Sequence, residues 1–496
     1  MSFAWALFLL YLAGTGWLGW RGYRRTSGFG SYAVGDRNMH PLIVGITLAA
    51  SVSSAATFII NPGFVYVDGF SAFFHMVVGV GIGFIVMLSV LSFRFRRIGA
   101  ENQALTIPDW IGKRYKSAGF SLYFAFISLL AFAFVVLLVG GISIVMQSLL
   151  GVSNVMALVI TLVFVTGYVF IGGTYAHVLT NMLQGSLMII VTIVVLASCI
   201  WIAMQQPVSI LEGLRSIDPG LIAPVNTASK LFNDTFSIYV AGFVVGAVIV
   251  CQPHILTKAL YVKDDRNVKR YIGVFTVVFF LFQLLGAVGF FAHFAVPDAA
   301  LVDATSGQFR QDLVMTMYLK SVFPEWVFTI ISVVLLAAAM STLDGLLVSL
   351  STIAANDLVL NLQAKGDQRS EEQRMAFALR ASHVVLLVIA VAAFLINLQP
   401  PRLLGIFGQT GVYGMAVASA PPLLLGVLFT APRLILAWCS SALAFLLYVV
   451  LVFFGDSLFS GATMIFANPG VSAAMASLLV IPAVLALAAI LDKRTA

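Results

Sequence analysis

The sequence predicts an all-α polytopic membrane protein with about 13 transmembrane helices, on three observations. Hydrophobic residues make up 61% of the 496 positions and charged residues only 9%, where a soluble domain carries about a quarter charged. The apolar residues gather into runs long enough to cross a hydrocarbon layer about 30 Å thick. These runs lie at roughly 3–20, 41–62, 70–93, 120–149, 154–172, 178–203, 236–256, 272–296, 325–358, 380–398, 403–430, 433–454 and 470–491. The third observation is where the basic residues fall. Nothing basic precedes the first run, while Arg21, Arg24 and Arg25 follow it, so it reads as an uncleaved span with the N-terminus outside and the C-terminus inside. The inner segments then hold 22 of the 27 Lys and Arg residues; the outer loops hold Arg215, Lys230, Arg310, Lys320 and Arg402. A miscounted span would scramble that asymmetry. The formal charge of +7 therefore marks membrane topology and excludes a nucleic-acid partner. Cys199, Cys251 and Cys439 sit far apart inside apolar runs, as small packing residues with no metal or disulfide spacing.

Taken in order, the second run is the first with unusual chemistry. Its middle holds Ser51, Ser53, Ser54 and Thr57, and Asn61-Pro62-Gly63 closes it. Small polar residues in mid-span permit close helix contact or a local unwinding, and unwound carbonyls are tolerated in a membrane only where they line a cavity or hold an ion. The third run carries GVGIGF at 79–84, a packing surface, and His75, which serves either a structural hydrogen bond or a ligand. In the following inner loop Thr106 reads as an N-cap, with Pro108 in the first turn and Asp109 three residues after the cap. A short inner loop at 173–177 precedes the sixth run, where Asn181 and Gln184 share a face. The seventh run ends at Pro253, which places Lys258 in the inner loop at 257–270. The ninth run is the most distinctive. Ser341, Thr342 and Asp344 lie in its centre, and Ala338, Ser341 and Asp344 recur every three residues along one face. A charge there costs about 2.5–3.5 kcal/mol even on the lenient insertion scale, so Asp344 is a functional candidate. The neighbouring hydroxyls and carbonyls suit a hard cation. Residues 362–379 read as a solvated loop, and GQTGVYG at 408–414 as a glycine-rich break carrying Gln409 and Thr410.

The stretch AAAMSTLDGLLVSLSTIAANDL (337–358) resembles the sodium-site helix of the sodium:solute symporter family. YAVGDRNM (32–39), LTIPDWIGKRY (105–115), GGTYAHVLTNMLQG (172–185) and QPHILTKAL (252–260) are similar to further motifs of that family, so the likeness spans roughly 30–430. The resemblance implies a LeuT-like core, two five-helix repeats of inverted topology over about 41–430, within a single transmembrane domain of 1–496. The helix at 3–20 and two helices over 433–491 lie outside that core. It implies a sodium site from the carbonyls of Ala50, Ser53 and Ala338 and the hydroxyls of Ser341 and Thr342. It implies substrate contacts at Ser54, Thr57, His75 and Gln409, and a gating or structural contact at Arg37. Members of the family commonly place an Asp where this chain has Asn181, and an uncharged residue where it has Asp344. From that exchange Asn181 and Asp344 are expected to face each other as a second cation or proton site.

The function this implies is sodium-coupled symport of a small organic solute (amino acid, sugar, monocarboxylate or vitamin) by alternating access across the plasma membrane. The lipid bilayer is its setting, with no obligate protein partner and no organic cofactor. Proton coupling, or a transporter-like solute sensor, are the alternatives; the sequence contains no fused output domain for the latter. An enzyme is not expected, because the spans lack a His-x-x-x-His pair or a Gly-x-Ser-x-Gly turn. The named pocket positions include no embedded Arg or Lys, which argues against strongly anionic solutes, although broken helix ends can hold an acid group through backbone N–H.

Overall fold

The computed structural model describes residues 3–54, 56–302, 309–361, 370–400, 404–459, 466 and 468–493. Ten helices among these residues are long and apolar enough to span a membrane, and two further spans are bent pairs. One of the ten, Asn154–Gln205, has 52 residues and would stretch about 78 Å if straight, more than twice the membrane core. It contains a non-helical residue, Gly173 (φ 49°, ψ −134°), and serves as two spans. Tyr168 and Thr180, on either side of that residue, both reach the same carboxylate oxygen of Asp344, as they can only if the chain turns back. Thirteen spans result, as the sequence predicts.

Gly173 also shows why the expected inner loop at 173–177 is no loop. Only glycine accepts that backbone conformation readily. A Cβ on it would run into the ring and carbonyl of Tyr32. The reversal is made in one residue, and Thr174–His177 are buried rather than solvated.

The second and seventh spans are the bent pairs. Pro41–Val52 and Thr57–Asp68 meet at 62°, and Phe236–Ile249 and Pro253–Tyr261 at 67°. They open the two halves of the core, and broken helices at corresponding positions are what an inverted repeat places around a midplane site. The second break follows from Pro253, which has no N–H for the preceding turn and begins a new half-helix at its first position. The expectation that Pro253 ends the span is thereby corrected. Residues 253–261 continue it as a half-helix, and Lys258 is 1% exposed within the protein instead of lying in an inner loop.

Two more expectations change. Leu404–Leu428 is one continuous helix, so GQTGVYG makes no break. Its Gly411 instead faces the Leu130 carbonyl and the Ala133 side chain, and Gly408 faces Leu137. The expected solvated loop at 362–379 is helical from Glu371, because Ser370 and Gln373 form a capping box; its earlier part lies outside the described residues. The GVGIGF stretch is a packing surface, as expected. Gly79 and Gly83 meet Gly242 and the Phe243 backbone of the seventh span closely enough that a Cβ would collide. Thr106 is the N-cap of Ile107–Tyr115, accepting from the Asp109 N–H at 3.0 Å.

Candidate functional site

The helix Pro41–Val52 ends because Ser53 leaves helical geometry (φ −86°, ψ 77°). One consequence is local and chemical. The Ser54 N–H, which would have served the Ala50 carbonyl, bonds the Val52 carbonyl instead. Ala50 is left with a carbonyl oxygen facing the ninth span, Glu325–Leu360, whose run of small residues lets the two backbones approach. There the Ser341 hydroxyl lies 2.8 Å from the Ala50 carbonyl and 2.7 Å from its own helix's Ala338 carbonyl. A hydroxyl carries one hydrogen and can donate to only one of them at a time. Nearby in sequence, the Ser53 and Thr342 hydroxyl oxygens are buried with no hydrogen-bond partner. Orphaned buried polar atoms are costly and call for a partner. The three contacting oxygens and two orphaned hydroxyls are neutral and hard, a donor set suited to a small monovalent cation.

One turn further along the ninth span, Asp344 is completely buried. Its Oδ1 lies 2.9 Å from His177 Nδ1, and its Oδ2 accepts from Tyr168 Oη at 2.9 Å and Thr180 Oγ1 at 3.1 Å. Asn181 does not bond to it. The Asn181 amide nitrogen donates to Ser51 Oγ and to the Ser341 carbonyl, each at 2.9 Å, and its third neighbour is His177 Nδ1 at 3.2 Å. His177 thus stands between the two residues expected to face each other.

Sequence reasoning missed three members of this cluster, Tyr168, His177 and Lys258. His177 was hidden by assignment to a loop, although it lies four residues before Asn181 and hence on the same helical face. Lys258 was hidden the same way. Its Nζ donates to the His254 carbonyl at 2.7 Å and to Ser51 Oγ at 3.2 Å. The apolar residues around it (Leu256, Ala259, Leu260) were the available signal. An embedded lysine is present after all.

Above Ser51 lies a cavity of about 570 Å³, within the usual range for small-molecule sites. Ser54, Thr57, His75 and Gln409 all border it, together with Gln252 and Gln283. Its walls include Phe64, Phe134, Phe232 and Phe279. His75 Nδ1 bonds the Ser237 carbonyl at 2.8 Å and its ring rests 4.7 Å from that of Phe232. Leu231, Phe232, Asn468 and Pro469, from the loops expected outside, also border the cavity.

The opposite end is closed. Tyr175 Oη donates to Asp36 Oδ2, and the Met39 N–H donates to the Tyr261 carbonyl at 2.9 Å. Arg37 takes left-handed geometry (φ 53°) and donates through Nη2 to the Ala104 carbonyl at 2.6 Å. Burial lowers its pKa from the ordinary guanidinium value, and the charge of Asp109 opposes that. Arg37 thus tethers the first inner loop to the second.

The comparisons with known proteins agree with this architecture. The chain is 28% identical to the sodium/pantothenate symporter of Haemophilus influenzae over 445 residues, covering 88% of this chain and 87% of that protein. It is 24% identical to the sodium/proline symporter of Salmonella typhimurium, covering 85% and 82%. Among solved structures, a substrate-bound, outward-open Na+-coupled sialic acid symporter superposes with a TM-score of 0.76 at 15% identity, over 97% of both chains. MHP1, a nucleobase-cation-symport-1 family transporter, superposes at 0.50 over 92% of this chain and 94% of its own. These likenesses show the fold, an all-helical LeuT-like membrane architecture. The model of the sodium:solute symporter family matches residues 32–432, and with the broken second and seventh spans in place the chain belongs to that family.

Proposed function

We propose that the protein imports a small carboxylate-bearing organic solute together with sodium, by alternating access, across the plasma membrane. The observation that carries the sodium reading is the Ser341 hydroxyl shared between the Ala50 and Ala338 carbonyls, with Ser53 and Thr342 orphaned alongside. Sodium there would satisfy the Ala50 carbonyl, which the broken helix leaves without its amide partner, while the Ala338 carbonyl and the orphaned hydroxyls add further oxygens. It would also link the broken second span to the ninth, so that ion occupancy favours one arrangement of the helices that carry the cavity.

Substrate contacts are assigned to Ser54, Thr57, His75 and Gln409. A carboxylate is favoured by two half-helix N-termini at the cavity: Thr57 near the start of one, and Gln252 and His254 at the start of the other. Such ends carry a partial positive charge and hold acid groups without a side-chain cation. Two relatives are named for pantothenate and proline, and both of those solutes bear a carboxylate.

The test works before any cargo is identified. Ligand binding to the folded state stabilises it by RT ln(1 + [L]/Kd). The thermal stability of the purified protein in sodium, against choline at equal ionic strength, is expected to rise, and the rise to vanish in Ser341→Ala. Addition of pantothenate or proline in sodium then screens the solute class. A wild-type protein indifferent to sodium at every pH would defeat the proposal and favour proton coupling or sensing.

A further inference from the structure

We infer that Lys258 is a tethered cation paired with Asp344, and that this pair takes the charge role of a second coupling ion, so that transport uses a single sodium. The inference rests on the Ala50–Ser341 site being the sodium site. Lys258 and Asp344 are 1% and 0% exposed, and they come from different spans, the seventh and the ninth. A lone charge in the membrane interior is costly, and removing one partner of a buried pair is strongly destabilising because it leaves the other uncompensated. Each is the other's available counter-charge. The buried titratable groups around them are the imidazoles of His177 and His254 and the phenols of Tyr11, Tyr168 and Tyr261, of which Tyr168 donates to Asp344.

Polar groups fill the space between the two, without forming one unbroken chain of hydrogen bonds. Lys258 Nζ and Asn181 Nδ2 both donate to Ser51 Oγ, at 3.2 and 2.9 Å. Asn181 Nδ2 then adjoins His177 Nδ1 at 3.2 Å, and His177 Nδ1 meets Asp344 Oδ1 at 2.9 Å. The groups there are arranged against a second metal ion. Both Asp344 oxygens already face protein groups, and Asn181 turns its NH₂ toward the Ser341 carbonyl. An ion between Asn181 and Asp344 would have to displace the Tyr168, Thr180 and His177 contacts of the carboxylate, and of the Asn181 amide only Oδ1, which is buried without a partner, could serve it. With Lys258 as an ammonium, the Lys258–Asp344 pair carries no net charge of its own, and one sodium adds a single positive charge. Ser51 ties this pair to the transport machinery, since it follows Ala50 directly and borders the cavity.

The experiment measures how the melting temperature of the full-length protein rises with sodium, in sodium–choline mixtures of constant ionic strength. The slope against log sodium reports the number of ions bound. Wild type is expected to show the slope of one ion. In Lys258→Met the ammonium's place beside the His254 carbonyl and Ser51 Oγ is open to a sodium ion, which replaces the lost counter-charge of Asp344, so the slope doubles. In the double variant Lys258→Met/Asp344→Asn the slope returns to one ion. If Lys258→Met cannot be purified, Asp344→Asn still decides the pairing: adding Lys258→Met to it is expected to raise the melting temperature rather than lower it further. A two-ion slope in wild type, an unchanged slope in Lys258→Met, or additive losses in the double variant overturns the inference. A wild-type protein with no sodium response at all would instead defeat the sodium site on which the inference rests.

Discussion

Ser341 holds one hydroxyl hydrogen between two carbonyls, which makes it the side chain whose loss is most informative. At sodium a hundredfold above Kd, binding would stabilise the protein by about 2.7 kcal/mol. Ser341→Ala is expected to lose that increment, and in choline to lose about 1–3 kcal/mol as well, because the hydroxyl also bonds across to the Ala50 carbonyl of the second span. Thr342→Val should weaken sodium binding too. It also removes an orphaned buried hydroxyl, so its stability in choline is expected to be unchanged or higher, a combination a packing residue would not show. Both variants are read by the same sodium–choline melting comparison. These hydroxyls stand out in the sequence because polar side chains in mid-span are rare. Lys258 and His177 escape notice because each lies beside an element boundary that only the backbone reveals.

At the scale of elements, two contacts decide the shape of the core. Gly173 reverses the 52-residue helix in a conformation closed to other residues. Gly173→Ala should therefore cost about 1–3 kcal/mol or more from backbone strain, with Tyr32 obstructing the new Cβ in addition. Its melting temperature is expected to fall while the sodium-induced rise persists, because the reversal does not itself touch the Ala50–Ser341 contact. The second contact is the closed inner side, where Tyr175 donates to the Asp36 carboxylate. A hydrogen bond to a charged group contributes about 1.5–3 kcal/mol, so Tyr175→Phe should raise the population of inward-open molecules about tenfold or more. Thr257 lies beneath this latch, buried beside Ala33, Thr106 and Thr352. A cysteine substituted for Thr257, in a background without Cys199, Cys251 and Cys439, should then react faster with a permeant thiol reagent. An unchanged labelling rate would mean that Arg37 and Met39 hold the inner side without Tyr175.

For the whole molecule, ion count sets what the transporter can achieve. One charge crossing 100 mV yields about 2.3 kcal/mol and a tenfold sodium gradient about 1.4 kcal/mol. A neutral or zwitterionic solute moving with one sodium draws on both and can be concentrated about 500-fold. A monoanion moving with one sodium carries no net charge, so only the gradient acts and accumulation stops near tenfold. With two sodium ions the same anion would reach about 5,000-fold. For an anionic solute that passes the melting screen, uptake into vesicles is therefore expected to respond to the sodium gradient and not to collapse of the membrane potential. Uptake driven by the potential alone would show a second ion.

The sequence by itself determined the number of spans, the clustering of basic residues on one set of loops, and the polar centres of the second and ninth spans. Those properties follow from transfer free energies, which depend on residue type and run length more than on neighbours. It also marked Ala50, Ala338 and Ser341, which the structure joins by hydrogen bonds, and Ser54, Thr57, His75 and Gln409, which it gathers around one cavity. Tertiary structure alone decided how each polar group is partnered. Whether Asn181 met Asp344 or Ser51 depended on side-chain geometry between spans, and His177 took the intervening place. Whether Pro253 ended a helix or began a half-helix was open in the sequence, because proline is compatible with both. That choice moved Lys258 from an inner loop to the interior, beside Ser51 and within electrostatic reach of Asp344. A buried charge is recognised by what surrounds it, and its surroundings come from spans far apart in the chain.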